Sequence, residues 1–427
     1  MIETKTTAST GNYKWFVVFM LWFICFFNYA DRQAIFSVFP ILEKEFGLAN
    51  WQLGIVGSAF MWVYAALAPV AGIIGDRFRR KTLILWGLAF WSLVTGLTGI
   101  STVFWHLVTF RALEGFGEAF YFPASMSLIS DYHGKETRSR AMSFHQSSVY
   151  AGTIGGGAFA GFMAQYYGWR LGFYFFGALG ILLAVILMKF IREPLRGASE
   201  MSGTSVEVEQ KPLPVREVLP EILRTPTAVA LMAVFFCANF VASVFLTWMP
   251  SFLNKNFQMN LAMAGLTGTA FIQIASVLGV LTGGALADWL ARRKASGRIT
   301  TQMIGLVCGA PFIFITGWTL SIPILIVGMT GFGFFKGMYD ANIFASLFDV
   351  VRPRSRATAT GIMIAVGWGG GALAPIAIGI ASERWGLGPS IAANGAVYIV
   401  AAVLMILAIF AFIDKDTKKI AEQTVSI

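Results

Sequence analysis

Long runs of apolar residues alternate along this chain with short polar breaks, and the runs set the predicted elements. A helix needs about 20 mainly apolar residues to cross a bilayer at 1.5 Å per residue. Twelve runs come near this length. The pattern predicts membrane-spanning helices near residues 15–39, 51–74, 83–101, 104–131, 141–165, 171–191, 226–251, 263–287, 302–319, 323–349, 358–382 and 390–412.

One longer polar stretch, from Arg192 to Arg224, separates the sixth and seventh runs. It is rich in Gly, Ser, Glu and Pro, and it has too few apolar residues to bury a core. We therefore predict a six-helix bundle over residues 1–191, a cytoplasmic linker over 192–224, and a second six-helix bundle with a short tail over 225–427.

The two halves repeat each other at a nearly fixed offset. Asn28 and Asn239 lie 211 positions apart, and the Ser-Arg-Ala sequence at 139–141 returns 216 positions later at 355–357. Two parallel halves related about the membrane normal produce such an offset. The predicted fold class is all-α integral membrane, with twelve transmembrane helices in two pseudo-symmetric six-helix bundles.

The charge of the chain follows the same division. The net charge is +10, but most Lys and Arg lie in the breaks, so we expect a lipid-bilayer environment and no nucleic-acid partner. With both termini in the cytoplasm, most Lys and Arg fall on the cytoplasmic side, as the positive-inside rule requires. Four lie on the outer side, namely Lys44, Arg170, Lys255 and Arg384. We expect a multi-pass, monomeric protein of the cell membrane, with short loops typical of a bacterial inner membrane.

Catalytic and cofactor chemistry lack their usual sequence patterns. Cys25, Cys237 and Cys308 lie in separate apolar runs, without the paired spacing of a metal site. The glycines of Gly115-Phe-Gly117 lie inside an apolar helix, not between a strand and a helix as in a nucleotide-binding loop. We expect no metal, no cofactor and no enzyme activity.

A charged loop motif occurs once in each half. Residues 72–81 read GIIGDRFRRK, and residues 284–294 read GALADWLARRK. Small residues let two helices approach closely, and an acidic residue beside a basic cluster can form a charge network that breaks and reforms as the halves move. We predict conformational gating at these positions: Asp76, Arg77, Arg80, Asp288 and Arg292.

Charged residues inside the apolar runs are candidate functional groups, because a charge at the bilayer centre costs about 2.5–3.5 kcal/mol on insertion scales. Arg111 and Glu118 are seven residues apart, which places them within about 20° on one helix face. Lys336 and Asp340 are four apart, so they can pair with each other, or Lys336 can bind an anion. The full set is Asp31, Arg32, Arg111, Glu114, Glu118, Lys336 and Asp340.

The loop of residues 72–81 resembles the signature loop of the major facilitator superfamily, although Arg79 stands where that family usually has Gly. The resemblance spans essentially the whole chain. It implies a major facilitator fold and alternating access, with a substrate site near the bilayer midplane between the halves. Residues 28–32 (NYADR) and 111–124 resemble the anion:cation symporter family of organic-anion carriers, and they resemble the spinster family of lysolipid and sphingolipid carriers equally.

The resemblance to the symporters implies roles for individual residues. The matching carboxyls carry coupling protons, which assigns Asp31 and Glu118. The matching arginine binds or gates for the anion, which assigns Arg111. The predicted substrate-binding set is Arg32, Tyr64, Arg111, Tyr121, Lys336, Tyr339 and Asn342. Static ion pairs that hold helices together are the alternative for the buried charges.

The predicted function is proton-coupled, alternating-access transport of a small organic anion such as a sugar acid or another carboxylate. Two alternatives stay open. One is a spinster-like carrier of lysolipids or sphingolipids, and the other is a proton-driven exporter of amphiphilic compounds.

Overall fold

The structure is a computed structural model that describes residues 12–134, 136–194, 215–294 and 296–425. Most of the predicted linker, residues 195–214, lies outside the described residues. The side chains of the predicted gating residues Asp76 and Arg77 also lie outside the description. The other side chains not described within helices and turns are those of residues 68, 69, 72, 73, 75, 353, 357 and 421–425.

The helices of the first half follow the predicted runs, with one interruption. The predicted fourth span, 104–131, breaks at Phe120, because Pro123 has no N–H to bond the carbonyl of Ala119 and its ring crowds that group. The helices are α1 (Tyr13–Ser37), α2 (Phe39–Phe46), α3 (Asn50–Arg77), α4 (Arg80–Thr98), α5 (Phe104–Ala119), α6 (Tyr121–Tyr132), α7 (Arg138–Tyr166) and α8 (Trp169–Phe190).

The second half begins with α9, a short helix within the predicted linker. Its tenth predicted span, 323–349, is also divided, at residues 341–342. The helices are α9 (Val215–Leu223), α10 (Pro226–Phe257), α11 (Leu261–Ala291), α12 (Gly297–Trp318), α13 (Ile322–Asp340), α14 (Ile343–Phe348), α15 (Arg356–Trp385), α16 (Leu387–Ala392), α17 (Asn394–Leu407) and α18 (Ile413–Val425), with a π-helical turn (Ala408–Phe412) before α18.

Nine helical segments in the described ranges are long and apolar enough to cross a membrane by length and composition. The three other predicted spans are α3, the divided pair α5 and α6, and α7. The α5 helix carries three charged residues in its last three turns, and α7 is rich in Gly and Ser. The most polar spans thus fall in the first half, and they position the site described below.

Glycines bring the helices of the first half into contact at two places that matter for the site. A Cβ atom on Gly115 of α5 would lie 2.5 Å from the carbonyl oxygen of Phe60 on α3. A Cβ atom on Gly156 of α7 would overlap the carbonyl oxygen of Ala30 on α1. Only glycine permits this separation between the backbones. The charged segments of α1 and α5 are therefore held close to α3 and α7.

The two halves meet at the side of the molecule opposite the start of α1 and the end of α18, which we call the far face. Lys255 of α10 pairs with Glu43 of α2 at 2.5 Å. Asn50 of α3 donates a hydrogen bond to the hydroxyl of Ser382 on α15 at 2.9 Å. Gln165 of α7 accepts a hydrogen bond from the first backbone N–H of α11 at 3.1 Å. The far face is therefore closed by direct contacts between the halves.

Candidate functional site

Five charged side chains of the first half meet in the interior of the bundle. Asp31 and Arg32 project from α1, and Arg111, Glu114 and Glu118 project from α5. Arg32 is 9% exposed and the other four are at most 1% exposed. Ionised groups so far from water need partners, because desolvation of each charge costs several kcal/mol. The pairing within this cluster therefore decides what it can do.

Two ion pairs organise the cluster. The Nε atom of Arg32 lies 2.5 Å from Glu118 Oε2, so this pair joins α1 to α5. Arg111 pairs with Glu114, one turn along its own helix. The sequence places Arg111 and Glu118 on one stripe of α5, and the structure gives these two residues different partners.

Asp31 has no salt bridge among the described residues. Its Oδ1 atom has no hydrogen-bond partner, and its Oδ2 atom lies 3.4 Å from the hydroxyl of Thr95. The same hydroxyl lies 3.2 Å from Oε1 of Glu114. A threonine hydroxyl has one hydrogen to donate. It can therefore bond both carboxyls only if one of them is protonated and donates to it.

Aromatic rings surround the guanidinium of Arg32. Its Cζ atom lies 4.6 Å from the ring centre of Tyr29, 4.7 Å from Phe60 and 4.9 Å from Tyr64. A fourth ring, Trp368, lies at 5.9 Å and belongs to α15 of the second half. Aromatic faces within about 6 Å attract a cation. This aromatic cage thus includes residues of both halves.

Trp368, Phe60 and Thr95 belong to the site and were not predicted from the sequence. Phe60 and Trp368 are apolar residues in apolar runs, and only tertiary packing brings them to Arg32. Thr95 is one of many hydroxyl residues in the spans. No pattern in the sequence singles these residues out.

Three of the predicted substrate-binding residues pack between helices in this conformation. Tyr121 is fully buried and donates a hydrogen bond to the carbonyl of Leu21 at 2.8 Å. Tyr339 is fully buried in a hydrophobic core that includes residues of both halves. Asn342 donates to the carbonyl of Gly283 at 3.2 Å. Their contacts are those of helix packing, whereas Tyr64 belongs to the aromatic cage.

Lys336 and Asp340, the predicted charges of the second half, pair with each other along α13. Both side chains keep partial exposure, 19% for Lys336 and 34% for Asp340. The pair is therefore more accessible than the five charges of the first half.

Two repeat-related ion pairs lie on the side of the molecule opposite the far face. Arg80 at the start of α4 pairs with Asp131 at the end of α6. Arg298 at the start of α12 pairs with Asp349 after α14, with oxygens at 2.6 and 2.8 Å. Arg298 follows Arg80 by 218 positions, and Asp349 follows Asp131 by the same number. The repeat offset could have identified both aspartates in the sequence.

The predicted gating residues Asp288 and Arg292 lie beside the second of these pairs. Both are exposed, and with Arg298 they border a cavity of about 320 Å³. Of the predicted gating residues with described side chains, only Arg80 belongs to one of the two repeat-related pairs.

Comparisons with known proteins identify relatives of two kinds. The chain is 27% identical over 403 residues to the probable galactarate/D-glucarate transporter of Escherichia coli (strain K12), covering 88% of each chain. It is 29% identical over 391 residues to the protein spinster of Drosophila melanogaster, covering 88% of this chain and 63% of that protein. Both relatives match across almost the whole length of this chain.

Solved structures show the same fold. An inward-facing, unoccupied crystal structure of a bacterial homologue of the human lysosomal transporter spinster superposes with a TM-score of 0.83 at 23% identity, covering 95% of this chain and 98% of that chain. The family model described as Major Facilitator Superfamily matches residues 21–332. This chain is a multi-pass membrane protein of the transporter type and belongs to the major facilitator superfamily.

Proposed function

We propose that this protein is a proton-coupled carrier of a small organic anion, a sugar acid or another carboxylate. The observation that carries the proposal is the charge balance of the buried cluster. Three carboxyl groups, Asp31, Glu114 and Glu118, face two guanidinium groups, Arg32 and Arg111. If all five are ionised, one negative charge is uncompensated, and burying it is expensive. One bound proton makes the cluster neutral.

The contacts of Thr95 support Asp31 as the carboxyl that holds this proton. Asp31 has no guanidinium partner, whereas Glu114 is paired with Arg111. If Thr95 donates its hydrogen to Glu114, a protonated Asp31 can donate to Thr95. The Thr95 hydroxyl then donates one hydrogen bond, to Glu114, and accepts one, from Asp31.

Arg32 is the proposed anchor for the anion. It is the most exposed of the five charges, and Arg111 is 1% exposed against its own helix partner. A substrate carboxylate that binds Arg32 displaces Glu118, which then needs a proton of its own because it is fully buried. Anion binding and proton binding are thereby linked, as symport requires.

The aromatic cage suits a hydroxylated substrate. The rings of Tyr64 and Trp368 pack against each other at a tilt of 43°, with centres 4.9 Å apart, and each has a face toward Arg32. Such faces pack against the C–H surface of a sugar acid while the guanidinium binds its carboxylate. The relative from Escherichia coli is named as a transporter of galactarate and D-glucarate, which supports this substrate class.

A lysolipid carrier is the second candidate, because relatives over nearly the same length of this chain are spinster proteins. We further propose that both termini lie in the cytoplasm, as the distribution of Lys and Arg indicates, and that the membrane is a bacterial inner membrane, for which the short loops are typical. The far face then faces outward.

Uptake into proteoliposomes tests the proposal. Radiolabelled carboxylates, including D-glucarate, and a lysophospholipid would be compared with and without an inward proton gradient, for wild type, Arg32→Ala and Arg111→Ala. We expect a carboxylate to accumulate only with the gradient and Arg32→Ala to abolish its uptake. Movement of the lysophospholipid alone would replace this proposal with the lipid carrier.

A further inference from the structure

The ion pair of Lys336 and Asp340 does not hold helices together. The two residues are four apart on α13, so their contact lies along one helix. By contrast, the pair of Arg32 and Glu118 joins α1 to α5. Two charges within a membrane-spanning helix are costly to insert. A packing role therefore does not account for Lys336 and Asp340.

The pair points toward the interior of the protein and away from lipid. Val327 and Ile324 mark the lipid-facing side of α13, with 58% and 50% of their surface exposed. Lys336 follows Val327 by nine residues, which places it about 180° around the helix. Met329, within about 20° of Lys336 on the same face, is fully buried. The 19% exposure of Lys336 thus belongs to an inner surface.

Three features place this inner surface between the halves near mid-membrane. Lys336 lies about 21 Å from the start of α13, near the middle of the roughly 40 Å from Ile322 to Phe348. The phenol of Tyr150, on α7 of the first half, lies near both Lys336 and Asp340. The helix also breaks directly after Asp340, and discontinuous helices are common at the binding sites of transporters.

We propose that Lys336 is a second carboxylate anchor, so that the transported anion is a dicarboxylate held by Arg32 at one end and Lys336 at the other. This inference rests on the proposed anion-carrier function. Asp340 neutralises Lys336 while the site is empty. An incoming carboxylate takes its place, and Asp340, the more exposed member of the pair, becomes hydrated.

Matched pairs of anions test this inference. D-glucarate and D-gluconate share a hydroxylated six-carbon chain and differ in whether the last carbon is a carboxylate or an alcohol, and glutarate and pentanoate form a second pair. In proteoliposomes we expect wild type to favour the dicarboxylate of the transported pair by about tenfold or more in kcat/KM, the size of one lost charge-assisted contact. Lys336→Arg keeps the charge and should keep the preference.

The double variant Lys336→Met with Asp340→Leu removes both charges and leaves neither unpaired. We expect it to lose the preference, because the second carboxylate of the dicarboxylate no longer finds a cation. Thermal stabilisation in detergent gives an independent measurement, in which the dicarboxylate should stabilise wild type more than its monocarboxylate partner.

Equal wild-type uptake of both members of the transported pair would overturn the inference, and so would a preference that survives in the double variant. In either case an organic anion still moves, so the anion-carrier proposal stands. If neither pair moves and a lysophospholipid does, the anion-carrier proposal fails, and this inference fails with it.

Discussion

Arg32 combines three contacts that sequence alone assigns to different parts of the chain. It pairs with Glu118 on α5, it is enclosed by rings of its own half, and it is approached by Trp368 from the other half. A cation enclosed by aromatic faces keeps its charge while it loses water, since the rings supply part of the lost interaction. Arg32 is thereby prepared to exchange one carboxylate partner for another.

Replacing Trp368 tests the aromatic cage. In Trp368→Ala we expect the KM for the transported anion to rise about fivefold, corresponding to about 1 kcal/mol, because a face beside the guanidinium is lost. Trp62→Ala is the matched control, because Trp62 lies on α3 with 44% of its surface exposed. Initial uptake rates over a range of anion concentrations give the KM of each variant. Equal KM values for the two variants would exclude Trp368 from the site.

The sequence predicted the charged residues of the cluster but not their pairing. Periodicity places Arg111 and Glu118 on one helix face, and that is all a single helix can reveal. Glu118 pairs with Arg32 because the two side chains meet between α1 and α5, which depends on tertiary packing. Lys336 and Asp340 are paired as their spacing on one helix allows, because both members of that contact are local.

Prolines give two of the long helices a free carbonyl, and other helices use it. Pro250 in α10 leaves the carbonyl of Leu246 without its helical donor, and Gln33 on α1 donates to it at 2.9 Å. Pro375 in α15 likewise frees the carbonyl of Gly371, which accepts a hydrogen bond from the hydroxyl of Ser243 on α10 at 2.9 Å. The first of these contacts links the two halves. In a membrane interior, a backbone carbonyl without its helical donor must accept a hydrogen bond from another group.

A double-mutant cycle tests this explanation of Gln33. We expect Gln33→Leu to destabilise the protein by about 1 kcal/mol, because the carbonyl of Leu246 loses its donor. In a Pro250→Ala background the helix supplies the donor itself, so Gln33→Leu should have little effect there. Apparent melting temperatures in detergent measure the effect of Gln33→Leu in each background. The same effect of Gln33→Leu in both backgrounds would refute the explanation.

The helix α9 is attached to the start of α15 through Glu221. Arg352 donates to both carboxylate oxygens of Glu221 at 3.0 and 2.7 Å, and the hydroxyl of Ser355 donates at 2.7 Å. Burial raises the pKa of Glu221, but these hydrogen bonds outweigh burial and hold the pKa below its ordinary value of 4.5. A lowered pKa means that this attachment is complete above the unfolded pKa and is lost as the pH falls through the folded pKa.

Glu221→Gln should release α9 at neutral pH, because the charge-assisted bonds are lost. Trypsin should then cleave at the exposed Arg216 and Arg224 faster than in wild type. Glu217→Gln is the matched control, since Glu217 is half exposed and its nearest cation among the described residues, Arg216, lies 4.0 Å away. Equal cleavage rates in the two variants would show that Glu221 does not hold α9.

Two of the predicted spans are broken in the structure, and the sequence could predict only one of these breaks. The break at Phe120 follows from Pro123 and could have been expected from the sequence. The break at residues 341–342 has no proline near it. There Asn342 donates its side chain to Gly283 on α11, and this tertiary contact has no local signal.

The whole molecule is closed at the far face by contacts that must part for alternating access. They include Lys255 with Glu43 and Asn50 with Ser382. The sequence predicted the twelve spans and the repeat because both depend on hydrophobic length and spacing. It could not predict which face is closed, because the same chain must adopt both states and the choice between them is a small free-energy difference.

Cross-linking the far face tests the requirement for opening. Cysteines at Asn50 and Ser382, in a background with Cys25, Cys237 and Cys308 replaced by Ser, should form a disulfide on oxidation. We expect uptake to fall by about tenfold or more and to return on reduction, because the carrier is held in one state. The single-cysteine variants should be unaffected. Full uptake by the cross-linked protein would show that the far face need not open.

The most direct test of the proposed mechanism is the proton itself. Wild-type proteoliposomes with a trapped pH dye would receive the transported anion, and Glu118→Gln would be measured beside them. The charge balance of the cluster predicts that anion entry acidifies the lumen. The proposed protonation of Glu118 on anion binding predicts that Glu118→Gln still exchanges anion across the membrane but moves fewer protons per anion than wild type. Anion entry into wild-type vesicles without any proton movement would contradict the account.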